Sequence, residues 1–79
     1  MNYQVFTNES LTIMYEVVCL ALATDDALER HDHTPPYRVR ETSGWKQHAV
    51  NLETEMLRRG MTFEAIDWSV GQESLPLEV

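Results

Sequence analysis

The chain has 79 residues, with 13 acidic and six basic side chains and a formal net charge of −7. That length supports one small domain, which buries only about 60–65% of the surface its unfolded form exposes, so a deep catalytic pocket is hard to fit beside the core. A body this acidic repels phosphate backbones, which disfavours independent DNA or RNA binding and favours a basic protein partner.

The charge is uneven. Residues 1–36 hold six acids and one base (−5), residues 37–60 hold five bases and three acids (+2), and residues 61–79 hold four acids and no base (−4). Acidic surfaces also keep small proteins in solution, whatever else they do. The single cysteine, Cys19, lies in the apolar run "YEVVCLAL" and reads as a small buried hydrophobe. No charged-then-apolar leader is seen, and no apolar run reaches the ~18 residues of a membrane span. The expected location is the reducing cytoplasm.

In chain order, "MNYQVFT" reads as a short extended segment or edge strand, with Tyr3, Val5 and Phe6 packing back on the domain. A helix follows over about 8–23. Thr7 or Asn8 can cap it, and Glu9 suits its positive end. Leu11, Met14, Tyr15, Val18 and Leu22 keep helical spacing, while Ile13, Val17, Leu20 and Ala21 widen the apolar arc. A helix apolar over so wide an arc is central to its fold or is covered in part by another protein.

Thr24, Asp25 and Asp26 look like a second cap, where the helix breaks and restarts or runs on to Glu29. "HDHTPPYRVRE" then reads as the connection across 24–40, with Pro35 and Pro36 stopping the preceding helical turn and Tyr37–Arg40 extended. A second helix is expected over about 43–59, capped by Thr42 or Ser43, with the stripe Trp45, Ala49, Leu52 and Met56. Arg58 and Arg59 suit its negative end, and Gly60 is a left-handed stop. "MTFEAIDWS" (61–69) reads as a short helix or strand that closes the core, and "LRRGMTFEAI" has the cadence of a helix-turn-helix corner. The whole reads as a mainly α, single helical domain over 1–70. The two long helices form an antiparallel hairpin, and a flexible tail runs over 71–79.

No catalytic constellation emerges. His31-Asp32-His33 offers two imidazoles where zinc needs about four ligands, or three plus water. His48 lies 15 residues beyond His33, on the second helix. Cys19 lacks the exposed, electropositive setting of a nucleophilic thiol. Asp25 and Asp26 are adjacent and diverge by about 100° on a helix. The second helix of the suspected corner would present Phe63, Glu64, Ile66 and Asp67, wrong residues for a DNA groove. Seven aromatics and four methionines on so short a chain suit a protein interface. Trp45 sits on the core stripe, and Trp68 is the better interface anchor.

The stretches "FTNESLTIMYE", "ALATDDALE" and "YRVRETSGWKQHAVNLETEMLRRGMTFEAIDWS" together resemble small acidic proteins of alphaproteobacterial conjugative elements, among them the rhizobial quorum-sensing antiactivators. The resemblance spans residues 6–69 and brings no catalytic or metal motif. It implies an antiactivator that binds and inhibits a transcriptional activator of LuxR type or a related class, so repressing conjugative transfer. The chain would act as a monomer or weak homodimer, with no cofactor, no metal, no membrane and no direct nucleic-acid contact. Candidate partner-binding residues are Tyr15, Asp25, Asp26, Glu29, Phe63, Glu64, Asp67 and Trp68. The competing readings are a small helix-turn-helix-like DNA-binding or accessory regulator and, more remotely, a small metal-dependent enzyme.

Overall fold

The structure, a computed structural model, describes residues 2–68. Two helices dominate it, α1 (Asn8–Arg30) and α2 (Ser43–Arg58), preceded by one 3-10 turn at Tyr3–Val5. The described residues contain no strand. The protein is thus a mainly α domain built on a helical hairpin.

The first helix begins where its sequence allows. Thr7 is extended, and its hydroxyl oxygen accepts the Ser10 amide at 3.0 Å, satisfying one of the free donors of the first turn. From there Leu11, Tyr15, Val18, Leu22 and Asp25 recur at four, three, four and three residues and are all buried. Of the two readings at Thr24 the run-on holds: the helix does not break there and continues to Arg30, seven residues beyond 23. The acid that looked like a cap is instead the last member of the buried stripe.

Pro35 and Pro36 do not stop this helix either. It ends before them, in a pair of back-bonds: Asp32 N–H to the Glu29 carbonyl at 3.0 Å and His33 N–H to the Leu28 carbonyl at 2.9 Å. Asp32 takes the left-handed backbone this motif requires, at φ 63°. The second helix ends identically. Gly60 N–H bonds the Leu57 carbonyl, Met61 N–H bonds the Met56 carbonyl, and Gly60 sits at φ 75°. Here the expectation of a glycine stop holds.

The two helices run antiparallel. At one end the Arg59 guanidinium bonds the Asn8 side chain at 2.8 Å; in the middle the Tyr15 hydroxyl donates to the Glu53 carboxylate; at the other end Trp45 packs on Ala21, Leu22 and Val39. The main core joins Leu11, Tyr15 and Val18 to Ala49, Leu52 and Met56.

Three short segments depart from expectation. The N-terminus is a 3-10 turn, not an edge strand, capped by the Asn2 side chain on Gln4 N–H. Tyr3 and Phe6 pack on the core from it, whereas Val5 is exposed. Residues 37–40 are not extended, because Arg38 is left-handed (φ 51°) and its carbonyl takes the amides of Glu41 and Thr42. Residues 61–67 are neither helix nor strand, so no helix-turn-helix corner forms. The physical reason is reach. Seven extended residues span about 23 Å, whereas seven helical ones span about 10 Å. A path longer than a helix lets Phe63, Ile66 and Trp68 all pack along one flank of the hairpin. Position 69 and the expected tail over 71–79 lie outside the described residues.

Candidate functional site

Several residues expected to face a partner are used inside the fold. Tyr15 is 4% exposed; its hydroxyl donates to Glu53 and accepts the Ile66 amide at 3.0 Å. Burial, then the neighbouring Glu53 carboxylate, pushes its hydroxyl pKa up. Asp25 is 3% exposed, and its two oxygens accept the amides of Tyr37 (2.9 Å) and Val39 (2.8 Å). Both residues leave the partner-facing set, because each is sealed by the segment it holds. Asp26 forms a two-point ion pair with Arg40, at 2.9 and 3.2 Å. Phe63 meets Tyr15 edge to face at 5.2 Å between ring centroids. Trp68 is half-buried, with the Lys46 ammonium 5.7 Å over its ring and its carbonyl accepting from Arg40. Its first role is therefore to seal the hairpin's flank. Glu29, Glu64 and Asp67 remain exposed, and the negative charge of Asp67, after that of Asp26, helps raise the Arg40 pKa.

The surface that is unpartnered lies elsewhere. A two-helix hairpin has two flanks, and residues 61–68 close only one. On the other flank, the N-terminal turn covers the end near Arg59, where the Tyr3 hydroxyl meets His48 Nδ1 at 2.6 Å. Beyond that point an open groove of about 560 Å³ remains. Ile13, Met14, Val17 and Val18 of α1 form one wall; Thr42, Gly44, Trp45 and His48 form the other. No lysine, arginine or carboxylate lines it. Burial pushes the His48 pKa down, so this imidazole is neutral at physiological pH.

The outer edge of the groove is apolar as well. Ile13 is 59% exposed, Val17 51% and Leu20 68%, spaced four and three residues apart on one ridge. Together they form an exposed apolar stripe on α1, the kind of surface that interaction sites use. The signal was present in the sequence as the second apolar face of α1. The candidate residues named from sequence instead followed acids and aromatics, most of which the fold consumes.

The remaining chemistry is sparse. Cys19 is half-buried, with its thiol pKa raised first by burial and then by Glu16, so it is a protonated thiol at neutral pH. It lines a second hollow, of about 350 Å³, with Thr12, Tyr15, Met56 and Phe63. His31 and His33 are exposed. Among the described residues no three His, Cys, Asp or Glu side chains converge to hold a metal, and no helix is long and apolar enough to cross a membrane. Most bases are occupied: Arg40 by Asp26, Arg58 and Arg59 by Glu55, and Arg38 by Glu41 at 3.5 Å. In comparisons with known proteins, no family model, no curated protein and no solved structure matches the chain.

Proposed function

We propose that this protein is an antiactivator: it binds a transcriptional activator, of LuxR type or related, and holds it inactive, so repressing conjugative transfer of a mobile element. It acts by docking and not by catalysis. The observation that carries this reading is the unpartnered apolar ridge and groove of α1 on a chain of net charge −7. The resemblance of residues 6–69 to antiactivators of conjugative elements supports the choice of partner.

The energetics suit a regulator. Complete burial of an aliphatic side chain stabilises by about 1.5–3 kcal/mol, so covering three that are half to two-thirds exposed contributes roughly 2–5 kcal/mol. That is enough for a hot spot within a reversible complex. The helix-turn-helix alternative is weakened by the absence of any helix over residues 61–67, which leaves no recognition helix there, and by bases already paired to acids.

The test is capture of partners by the full-length protein from cells carrying its native genetic neighbourhood, followed by mass spectrometry. A transcriptional activator should be recovered with the wild-type chain and lost with Val17→Asp, whose circular dichroism should be unchanged. Recovery of no regulator, together with a gel shift on DNA that weakens steeply with salt, would overturn the reading.

A further inference from the structure

The hollow of about 350 Å³ between α1 and residues 62–64 is at the small end of the ~300–1,000 Å³ usual for ligand sites. Tyr15 and Met56, both buried, form its floor, and Phe63 lines it beside them, edge to face with Tyr15 at 5.2 Å between ring centroids. Glu16 of α1 and Glu64 of the covering segment line it as well, and both are exposed. Neither is in an ion pair among the described residues, and neither residues 8–29 nor residues 61–68 contain a lysine or arginine. A third carboxylate, Glu53, is held by the Tyr15 hydroxyl. Burial first, and then the charges of Glu16, Glu53 and Glu64, raise the thiol pKa of Cys19 in the same hollow, so the field of all three acids reaches its interior. The hollow thus joins an aromatic floor to an unanswered negative charge.

We propose that this hollow receives one arginine side chain of the partner protein, with its guanidinium between Glu16 and Glu64 and its alkyl stem against Phe63. The proposal rests on the reading that the protein works by binding another protein, and it names what that partner presents. The two carboxylates come from different elements, and among the described residues no three His, Cys, Asp or Glu side chains converge, so a small metal ion finds no cage. A planar guanidinium is wider. It carries donors on both edges, so it can meet an acid on either side, and its face stacks on an aromatic ring. An ammonium group is a compact, strongly hydrated point charge without that fork. An arginine stem also covers apolar surface while its charged head stays at the rim.

The other occupants fit less well. An uncharged ligand leaves both carboxylates unanswered, and an anion is repelled by them. A second copy of the chain itself carries −7, and four of its five arginines, Arg38, Arg40, Arg58 and Arg59, already hold acids of their own. Free arginine brings its own carboxylate towards Glu16 and Glu64, whereas an arginine within a polypeptide does not.

An NMR titration of the isotope-labelled, full-length protein tests the seat without the partner. The probes are the N-acetyl methylamides of arginine, lysine and norleucine, together with free arginine. The expected result is movement of the Cys19, Phe63 and Glu64 amide signals with blocked arginine, bound at least about threefold more tightly than norleucine or free arginine. Glu16→Gln with Glu64→Gln should leave circular dichroism unchanged and weaken that binding about three- to tenfold at low salt, as expected for two exposed ion pairs. The difference should collapse at about 0.5 M salt. No response to blocked arginine, an equal response to norleucine, shifts confined to other residues, or no loss in the double variant overturns the proposal. Lysine bound as tightly as arginine overturns the choice of a guanidinium. Should the double variant unfold, the wild-type probe series still decides. With a captured regulator, the double variant should weaken the complex by a similar factor. Arginine seated in the hollow with no regulator captured would support the seat and overturn the antiactivator reading. A regulator captured equally by wild type and double variant would do the reverse.

Discussion

Replacing Asp25 by alanine tests the structural logic most sharply, because this acid changed roles between sequence and structure. Asp25 is 3% exposed, and each of its oxygens accepts one loop amide, from Tyr37 at 2.9 Å and from Val39 at 2.8 Å. It therefore fastens the connection 31–42 to α1 and seats Val39, fully buried, against Ala21 and Leu22. Hydrogen bonds to a charged acceptor contribute about 1.5–3 kcal/mol each. The Val39 amide is sealed and loses its full share, whereas the exposed Tyr37 can turn its amide to water and loses about half. Asp25→Ala should thus cost about 2–4 kcal/mol, a large part of the roughly 4–12 kcal/mol expected for a domain of this size. The melting temperature should fall by roughly 10–25 °C. Asp25→Asn keeps one acceptor and should fall between alanine and wild type. Glu29→Ala, on the exposed side of the same helix, should stay within about 0.5 kcal/mol. Urea unfolding followed by helical circular dichroism measures all three, and hydrogen exchange should show the Val39 amide losing protection first. A cost below about 1 kcal/mol for Asp25→Ala would refute the clamp, since no rearrangement of a sealed amide is that cheap.

Four further outcomes follow from the same contacts. Tyr15→Phe removes both the donor to Glu53 and the acceptor of the Ile66 amide, so it should cost about 1–2 kcal/mol and speed exchange at Ile66; unchanged exchange there would mean residues 61–68 do not depend on this hydroxyl. Gly60→Ala meets no atom within 4 Å but forces a left-handed backbone at φ 75°, which should cost about 1–2 kcal/mol; a neutral change would deny the left-handed stop. Arg58, then Arg59, holds the Glu55 carboxyl down to about 2 from its ordinary 4.5. A lowered folded pKa favours folding above the unfolded value, so this contribution is complete above pH 4.5 and is lost as pH falls from 4.5 towards 2, and Glu55→Gln should flatten that part of the acid-unfolding curve. Burial lowers the His48 pKa from 6.5, so its contribution is complete above pH 6.5 and declines as the pH falls further; an NMR titration of the ring with a midpoint at or above 6.5 would contradict the buried, Tyr3-bonded imidazole.

Much of the hairpin was legible from local rules. The stripe Trp45, Ala49, Leu52 and Met56, the Thr7 cap and the Gly60 stop each depend on neighbours within a turn, and the structure keeps all three. The apolar arc of α1 is indeed wider than the core uses, and Ile13, Val17 and Leu20 stay exposed. Which of the candidate residues the fold itself buries was not legible, for a physical reason. An acid at a helix end and an acid at a buried clamp have the same local sequence, and only the distant amides of Tyr37 and Val39 separate them for Asp25. Tyr15 and Trp68 likewise owe their burial to chain more than 20 residues away. The sequence by itself determined two helices, the Thr7 cap, the Gly60 stop, their apolar faces and the acidic charge, because these follow from spacing and composition. The tertiary structure alone decided which flank residues 61–68 cover and which flank stays open, because that choice depends on where a segment without regular structure fits across both helices at once.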